Sequence, residues 1–213
     1  MLGKNMVTAA AILSAFAMAG AALVGITFDT TKARIAANER ELLLRTLHAL
    51  IPADTHDNDM FSDIVAVTSA KLLGSKTPLP AYRARLDGRP VAAVMTSVAP
   101  NGYGGSIKLL VAVTYHGELS GVRVLSHKET PGLGDGIEAD RSDWILGFAG
   151  RSLSNPEARG WAVKKDGGVF DQFTGATITP RAVVKAVHGT LTYFDKHKVE
   201  IFAAPLEERS HGG

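Results

Sequence analysis

Hydrophobic residues in this chain first form one long uncharged run, then recur at helical spacing, and then fall into short runs set off by glycine-containing turns; these changes divide it into segments. From Val7 to Ile26 twenty residues carry no charge, and Thr8 and Ser14 are the clearly polar side chains among them. That length suits one membrane-spanning helix. Ala15, Ala19 and Ala22 or Gly25 give it small surfaces for packing against another membrane helix. A secretory signal is the rival reading, because Lys4 precedes the apolar core. The core is longer than a usual signal, however, and residues 19–22 lead into further apolar residues instead of a polar mature start. The pattern therefore predicts a retained anchor over 1–28.

From Thr31 to about Leu50 the apolar residues Ile35, Leu42, Leu43, Leu47 and Leu50 fall at helical spacing, which predicts a stalk helix running on from the anchor. Pro52 stops it, and residues 54–59 form a polar turn, so 29–60 reads as stalk and linker. Asp54, His56, Asp57 and Asp59 cluster there without the spacing or glycine of a calcium loop, and a solvated loop is expected. Three hairpins follow. Tyr82–Leu86 and Pro90–Val98 flank Asp87-Gly88, with Pro90 placing its strand start at an edge or bulge. Ile107–Tyr115 and Leu119–Ser126 flank His116-Gly117. Trp161–Lys165 and Gly168–Asp171 flank Asp166-Gly167. Residues 137–148 are expected to contain a helix. Ala182, Val183, Ala186, Val187, Leu191 and Phe194 predict an amphipathic helix from about Pro180 to about His197. The expected fold class is α+β: one N-terminal transmembrane helix, then a mostly antiparallel-sheet domain with packed helices over 61–205, and a polar tail over 206–213. No Gly-x-Gly-x-x-Gly fingerprint or βαβ repeat supports a dinucleotide fold.

The candidate chemistry concentrates just before that last helix. In Asp171-Gln-Phe-Thr-Gly-Ala-Thr-Ile-Thr179, followed by Pro180, the proline suits a first helical turn and Thr179 reads as its N-cap. The unpaired amides of a helix start favour an anion, Gly175 permits close backbone approach, and Thr174, Thr177 and Thr179 offer hydroxyls. A phosphate site and an ordinary capped helix both satisfy this pattern. Two loops could converge on it. Asn101-Gly-Tyr-Gly-Gly105 exposes backbone at Gly102 and Gly105 and carries Tyr103, able to stack or donate a hydrogen bond. Glu129-Thr-Pro-Gly-Leu-Gly134 is stiff and then open, with Thr130, Gly132 and Leu133 able to meet a ligand's edges and apolar face. Each also reads as a plain turn. Lys164 and Lys165 are expected on opposite faces of a strand, with one reaching a phosphate or ring carbonyl.

Composition narrows the function classes. A net charge of +2 with dispersed Lys and Arg gives no support for nucleic-acid binding. Without cysteine there is no disulfide, thiolate metal ligand or cysteine-held iron–sulfur cluster in this chain. The histidines at 56, 116, 127, 188 and 197 form no zinc pattern, and Trp144 and Trp161 read as core aromatics. His127 adjoins the second loop and is a candidate for proton transfer.

The run Asp171-x-x-Thr174-Gly175-Ala176-Thr177-x-Thr179 resembles the attachment signature of the covalent FMN-binding domain family, and His127-Lys-Glu-Thr-Pro-Gly-Leu-Gly134 resembles a segment found with it in the G subunits of Rnf (Rsx) electron transport complexes. The C subunits of sodium-translocating NADH:quinone reductases are similar in motif and layout. The resemblance implies FMN bound covalently through its phosphate to Thr179, with Asp171, Thr174, Gly175, Ala176 and Thr177 organising the loop. It also implies an electron carrier without substrate turnover of its own. Its setting would be a membrane complex that moves electrons between ferredoxin and NAD while translocating ions. Implied partners are the other membrane subunits of that complex, including flavin- and iron–sulfur-bearing ones, and a flavin transferase using FAD and a divalent cation. The charge pattern, Lys4 before the span and Lys32, Arg34, Arg40 and Arg45 after it, leans toward a cytoplasmic carboxyl side. The resemblance implies the reverse: a single pass through the inner membrane with the domain on the periplasmic side. The alternative from another class is a membrane-anchored periplasmic binding or assembly module with no covalent flavin.

Overall fold

The computed structural model describes residues 2–204; the polar tail expected over 206–213 lies outside the described residues. Helix α1, Leu2–Leu50, joins the anchor and stalk in one element. Its segment Gly3–Lys32 is apolar and long enough to cross a membrane, and none of it is buried. The chain divides into two compact units at Arg45 and Thr46, so the last turn of α1 belongs to the second unit.

The second unit is built on five strands: β1 (Ile64–Ser69), β2 (Ser75–Leu86), β3 (Arg89–Ala99), β4 (Ile107–Thr114) and β5 (Leu119–Ser126). They form one antiparallel meander in chain order. The two strongest turn signals explain the register. Asp87 and Gly88 both have positive φ, 50° and 73°, the backbone twist that suits a two-residue hairpin loop. The pairing shifts between Ala84 and Arg85 where Pro90 enters β3, since proline cannot donate to the ladder. Gly117, at φ 89°, closes the next hairpin.

Both faces of the sheet are covered. One presents Ala81, Ala93, Met95, Leu109, Val111, Val113 and Val122 to a core shared with Val183, Val187, Leu191 and Phe194 of helix α2, Ile178–Ala203. On the other face Val94, Leu110 and Ala112 are fully buried. Gly121 pairs with Ala112, and a Cβ on it would lie 3.0 Å from the Leu50 side chain, so the end of α1 covers this side. Ser120 Oγ donates to the Leu50 carbonyl at 2.5 Å and fixes the approach.

Three expectations need correction. The third hairpin does not form: Lys164–Asp166 is a 3₁₀ turn ended by Gly167 at φ 85°, and Val163 makes an isolated parallel bridge to Phe170. Lys164 and Lys165 thus do not alternate on a strand. The helix expected within 137–148 resolves into two 3₁₀ turns, Asp135–Ile137 and Asp143–Phe148; Ser142 Oγ caps the second by accepting from the Trp144 amide. Helix α2 starts at Ile178 with Thr177 as N-cap residue, so Thr179 is not the cap but sits in the first turn, fully buried. β1 and the first half of β2 were not anticipated. Trp161 is a core aromatic as expected, stacked near Phe148 and Phe170. Among the described residues Asp54, His56, Asp57 and Asp59 do not converge as a metal-ligand group; Asp57 accepts from the Asp87 amide, and Asp59 from the Phe61 amide and the Ser62 hydroxyl.

Candidate functional site

Three segments distant in sequence meet at the start of α2. The loop after β5 brings in Glu129, whose side chain is 5 % exposed. Its Oε2 accepts a short hydrogen bond from Thr179 Oγ1, and its Oε1 accepts the Gly104 amide at 3.0 Å. One buried carboxylate therefore ties the loop between β3 and β4 to the first turn of α2. The position is electrostatically sound, since a carboxylate is favoured beside a helix N-terminus, where first-turn amides lack intrahelical partners.

The loop itself is held in two ways. Leu133 and Gly134 amides both donate to the Thr130 carbonyl, at 3.1 and 3.0 Å, and Gly132, at φ 77°, donates its amide to Asp135 Oδ1 at 2.8 Å. On the other flank His127 Nδ1 accepts the Glu129 amide at 3.0 Å, which places the ring proton on Nε2, where it donates to Glu138 Oε1 at 2.7 Å. Around the carboxylate the backbone is so close that side chains do not fit. A Cβ on Gly134 would lie 2.7 Å from Glu129 Oε2 and 3.1 Å from Thr179 Oγ1, and one on Gly102 would lie 2.6 Å from Glu129 Oε1.

Beside this cluster lies a cavity of about 360 Å³ lined by Tyr103, Glu129, Thr130, Leu133, Gly134 and residues 175–179. Its volume falls at the small end of the range of ligand pockets. Tyr103 is 70 % exposed and Leu133 47 %, an apolar and aromatic rim of the kind a planar ring would cover. The residues present fit FMN on chemistry: a hydroxyl for a phosphoester, amides of a helix start for phosphate oxygens, and aromatic and apolar side chains for a ring. Thr179 itself has no exposed surface, so a phosphate reaches it only when a cavity-lining neighbour moves aside.

The remaining expected site residues divide. Glu129, Thr130, Leu133, Tyr103, Gly175, Ala176, Thr177 and Thr179 converge on the cavity. Gly102 lies behind Glu129, and Gly105 donates its amide to the Gly102 carbonyl at 3.4 Å, so these glycines shape the carboxylate's seat. Gly132 and Thr174 line an adjoining open cleft. Asp171 and Lys164 pair with each other at 2.6 Å on the surface and do not line the cavity. The Asp171 carbonyl accepts Trp144 Nε1 at 2.7 Å, and Trp144 packs edge-on to Phe173, which anchors the base of the signature loop. Basic side chains nearer to the start of α2, Arg181 and Lys185, line a second cavity of about 360 Å³ that Ile178 also borders. Arg181 is engaged there with Asp166 at 2.5 Å, and this hydrogen-bonded pairing holds the Asp166 carboxyl below its usual range and the guanidinium above its own. Gly104, Gly134 and Ile178 were missed by sequence reasoning. Gly104 and Gly134 stood inside loops already singled out, and their absent side chains were the available signal.

Residues 102–192 match the FMN-binding domain family, and residues 1–50 match the RnfG N-terminal region. The G subunit of the ion-translocating oxidoreductase complex from Pseudomonas aeruginosa is 50 % identical over 208 residues, covering 98 % of this chain and 97 % of that protein. The corresponding G subunits of Pseudoalteromonas atlantica and Shewanella loihica are 51 % and 48 % identical, over 93 % and 95 % of this chain and the same shares of theirs. Among solved structures, the C subunit of the Na(+)-translocating NADH-quinone reductase from Parabacteroides distasonis superposes with a TM-score of 0.46 at 22 % identity, over 70 % of this chain and 72 % of that one.

Proposed function

This chain belongs to the family of G subunits of ion-translocating oxidoreductase complexes, and we propose that its domain carries FMN as a phosphoester on Thr179. It is an electron-carrying subunit of a membrane-bound oxidoreductase complex, anchored by one apolar N-terminal helix with the larger domain extracytoplasmic, and it works with other membrane subunits. The observation that carries the attachment reading is the placement of Thr179. Of the threonines in the signature, Thr179 alone is fully buried in the first helical turn, with its hydroxyl donating to a buried carboxylate and its residue bordering the cavity.

When bound, the flavin supplies transfer of one or two electrons. The chain's residues supply position and surroundings. A phosphoester on the first turn of α2 would set the phosphate where helix amides and dipole favour negative charge. Tyr103 and Leu133 would flank the ring, Thr130 would offer it a hydroxyl, and Glu129 would lie beside the attachment oxygen. Covalent attachment keeps the carrier loaded through repeated cycles. Exchange then occurs with neighbouring flavin- or iron–sulfur-bearing subunits, and a flavin transferase performs the loading.

Denaturing chromatography of the chain produced together with a flavin transferase tests this reading. Flavin absorbance should stay with the denatured wild-type chain and be absent from Thr179→Val. Flavin released on denaturation would sink the covalent assignment, and a chain that never takes up flavin would favour a binding or assembly module.

A further inference from the structure

We propose that Glu129 is the proton acceptor for its own chain's modification: its carboxylate takes the Thr179 hydroxyl proton as the flavin phosphate is attached. The inference rests on the reading of Thr179 as the attachment residue.

A threonine hydroxyl is a weak nucleophile, and a positioned base within hydrogen-bond reach is the usual means of activating one. Glu129 Oε2 meets the geometric requirement, since it accepts the Thr179 hydroxyl directly. The carboxylate is also aimed. Gly104 holds Oε1 at 3.0 Å, and the carboxylate packs so closely on the backbones at 102 and 134 that a Cβ on either would lie within 2.7 Å of one of its oxygens. With its hydrogen directed at Glu129, Thr179 Oγ1 keeps its lone pairs for a phosphorus atom that approaches from the cavity side once a lining neighbour has moved aside. His127 adds a second tie, accepting the Glu129 amide.

The step balances without redox change. With FAD as donor, a bond forms between Thr179 Oγ1 and the flavin-side phosphorus. The bond from that phosphorus to the bridging oxygen of the diphosphate breaks, AMP departs with its electron pair, and the threonine proton passes to Glu129. Afterwards Glu129 holds an O–H that can donate to the new phosphodiester, where before it only accepted.

The test follows the mass of the full-length, detergent-solubilised chain with time after mixing with flavin transferase, FAD and magnesium. Glu129→Gln keeps the size and an acceptor oxygen but cannot take the proton. Its attachment rate should fall by about 10²–10⁴-fold, as expected for loss of a general base. Glu129→Asp should retain a partial rate. The acid limb of the wild-type pH–rate profile should be missing from the Gln variant. A side chain that merely ties loops together would leave the two profiles parallel, so parallel profiles, or a Gln variant modified at the wild-type rate, overturn the proposal. Should Glu129→Gln fail to fold, Glu129→Asp decides: a reduced rate with an intact fold supports the role, and an unchanged rate overturns it. A wild-type chain left unmodified by active transferase rejects the Thr179 assignment itself, a result separable from failure of the Glu129 role alone.

Discussion

Helix α2 ends in a buried polar cluster on each side, and the two clusters are built for different purposes. At its carboxyl end Arg83, 1 % exposed, donates to Asp63 Oδ1 at 2.5 Å and to the carbonyls of Ile201 and Ala204 at 2.9 and 2.6 Å. Arg85 adds Asp63 Oδ2 at 2.9 Å and the Phe202 carbonyl at 2.8 Å. Two guanidinium groups share one carboxylate there, the carbonyls of Ile201, Phe202 and Ala204 accept their remaining donors, and the cations sit where the dipole favours them. At the amino end a single carboxylate faces a hydroxyl, an amide and a cavity. The closed cluster is fastening; the open one has a place for something more. Buried polar groups alone thus do not mark a site, whereas buried polar groups left facing a cavity do.

Substitutions at the two ends should separate these roles. Thr179→Val has the largest effect on attachment, abolishing it outright, while stability falls by only about 1–3 kcal/mol for the donor lost to Glu129; paired mass spectra and urea melts would show both. Arg83→Met does the opposite. It leaves Asp63 buried with Arg85 and the Asn58 side-chain amide as remaining partners and should lower stability by about 3 kcal/mol, while the fraction that stays folded is modified normally in the same assay. Gly134→Ala should affect both ends of the scale modestly, because its Cβ forces Glu129 and Thr179 apart. A loss of about 1–3 kcal/mol is expected from overpacking, together with slower attachment, and an unaffected rate would mean the pair can yield without consequence.

The smallest effect concerns pH. His188, stacked on Trp161 at 5.3 Å, has its pKa depressed below the ordinary 6.5 by burial. The folded state therefore binds fewer protons than the unfolded one in that window. Its contribution is fully present above about pH 6.5 and is lost as pH falls through the depressed folded value. His188→Gln should flatten the decline in melting temperature on acidification below that point without changing attachment. A decline of unchanged slope would place the sensitivity elsewhere.

Much of the frame was legible from residue patterns because its determinants are local. Asp87-Gly88 and His116-Gly117 mark their turns by backbone conformation, and the continuous apolar run Leu109–Val113 in β4 follows from burial of both its faces. The start of α2 was misplaced for an equally local reason. Several first-turn amides lack partners, so Pro180 is tolerated at more than one of those positions and cannot set the register by itself. Asp166-Gly167 marked a turn correctly, yet Lys164–Asp166 wound into 3₁₀ geometry in place of strands. β1 carries a legible signal in Ile64-Val-Ala-Val-Thr, a short run rich in β-branched residues. The site divides in the same way. The signature loop and both glycine loops stood out from composition, but the bond joining Glu129 to Thr179 spans fifty residues of sequence and exists only once the sheet brings them together.

The most direct test of the central claim is fragmentation mass spectrometry of the peptide containing Thr179, from chain purified out of a host that supplies the flavin transferase. The account predicts an added mass of FMN less water located on Thr179. An unmodified Thr179 in the presence of proven transferase activity, or the same mass on Thr174 or Thr177, would contradict it.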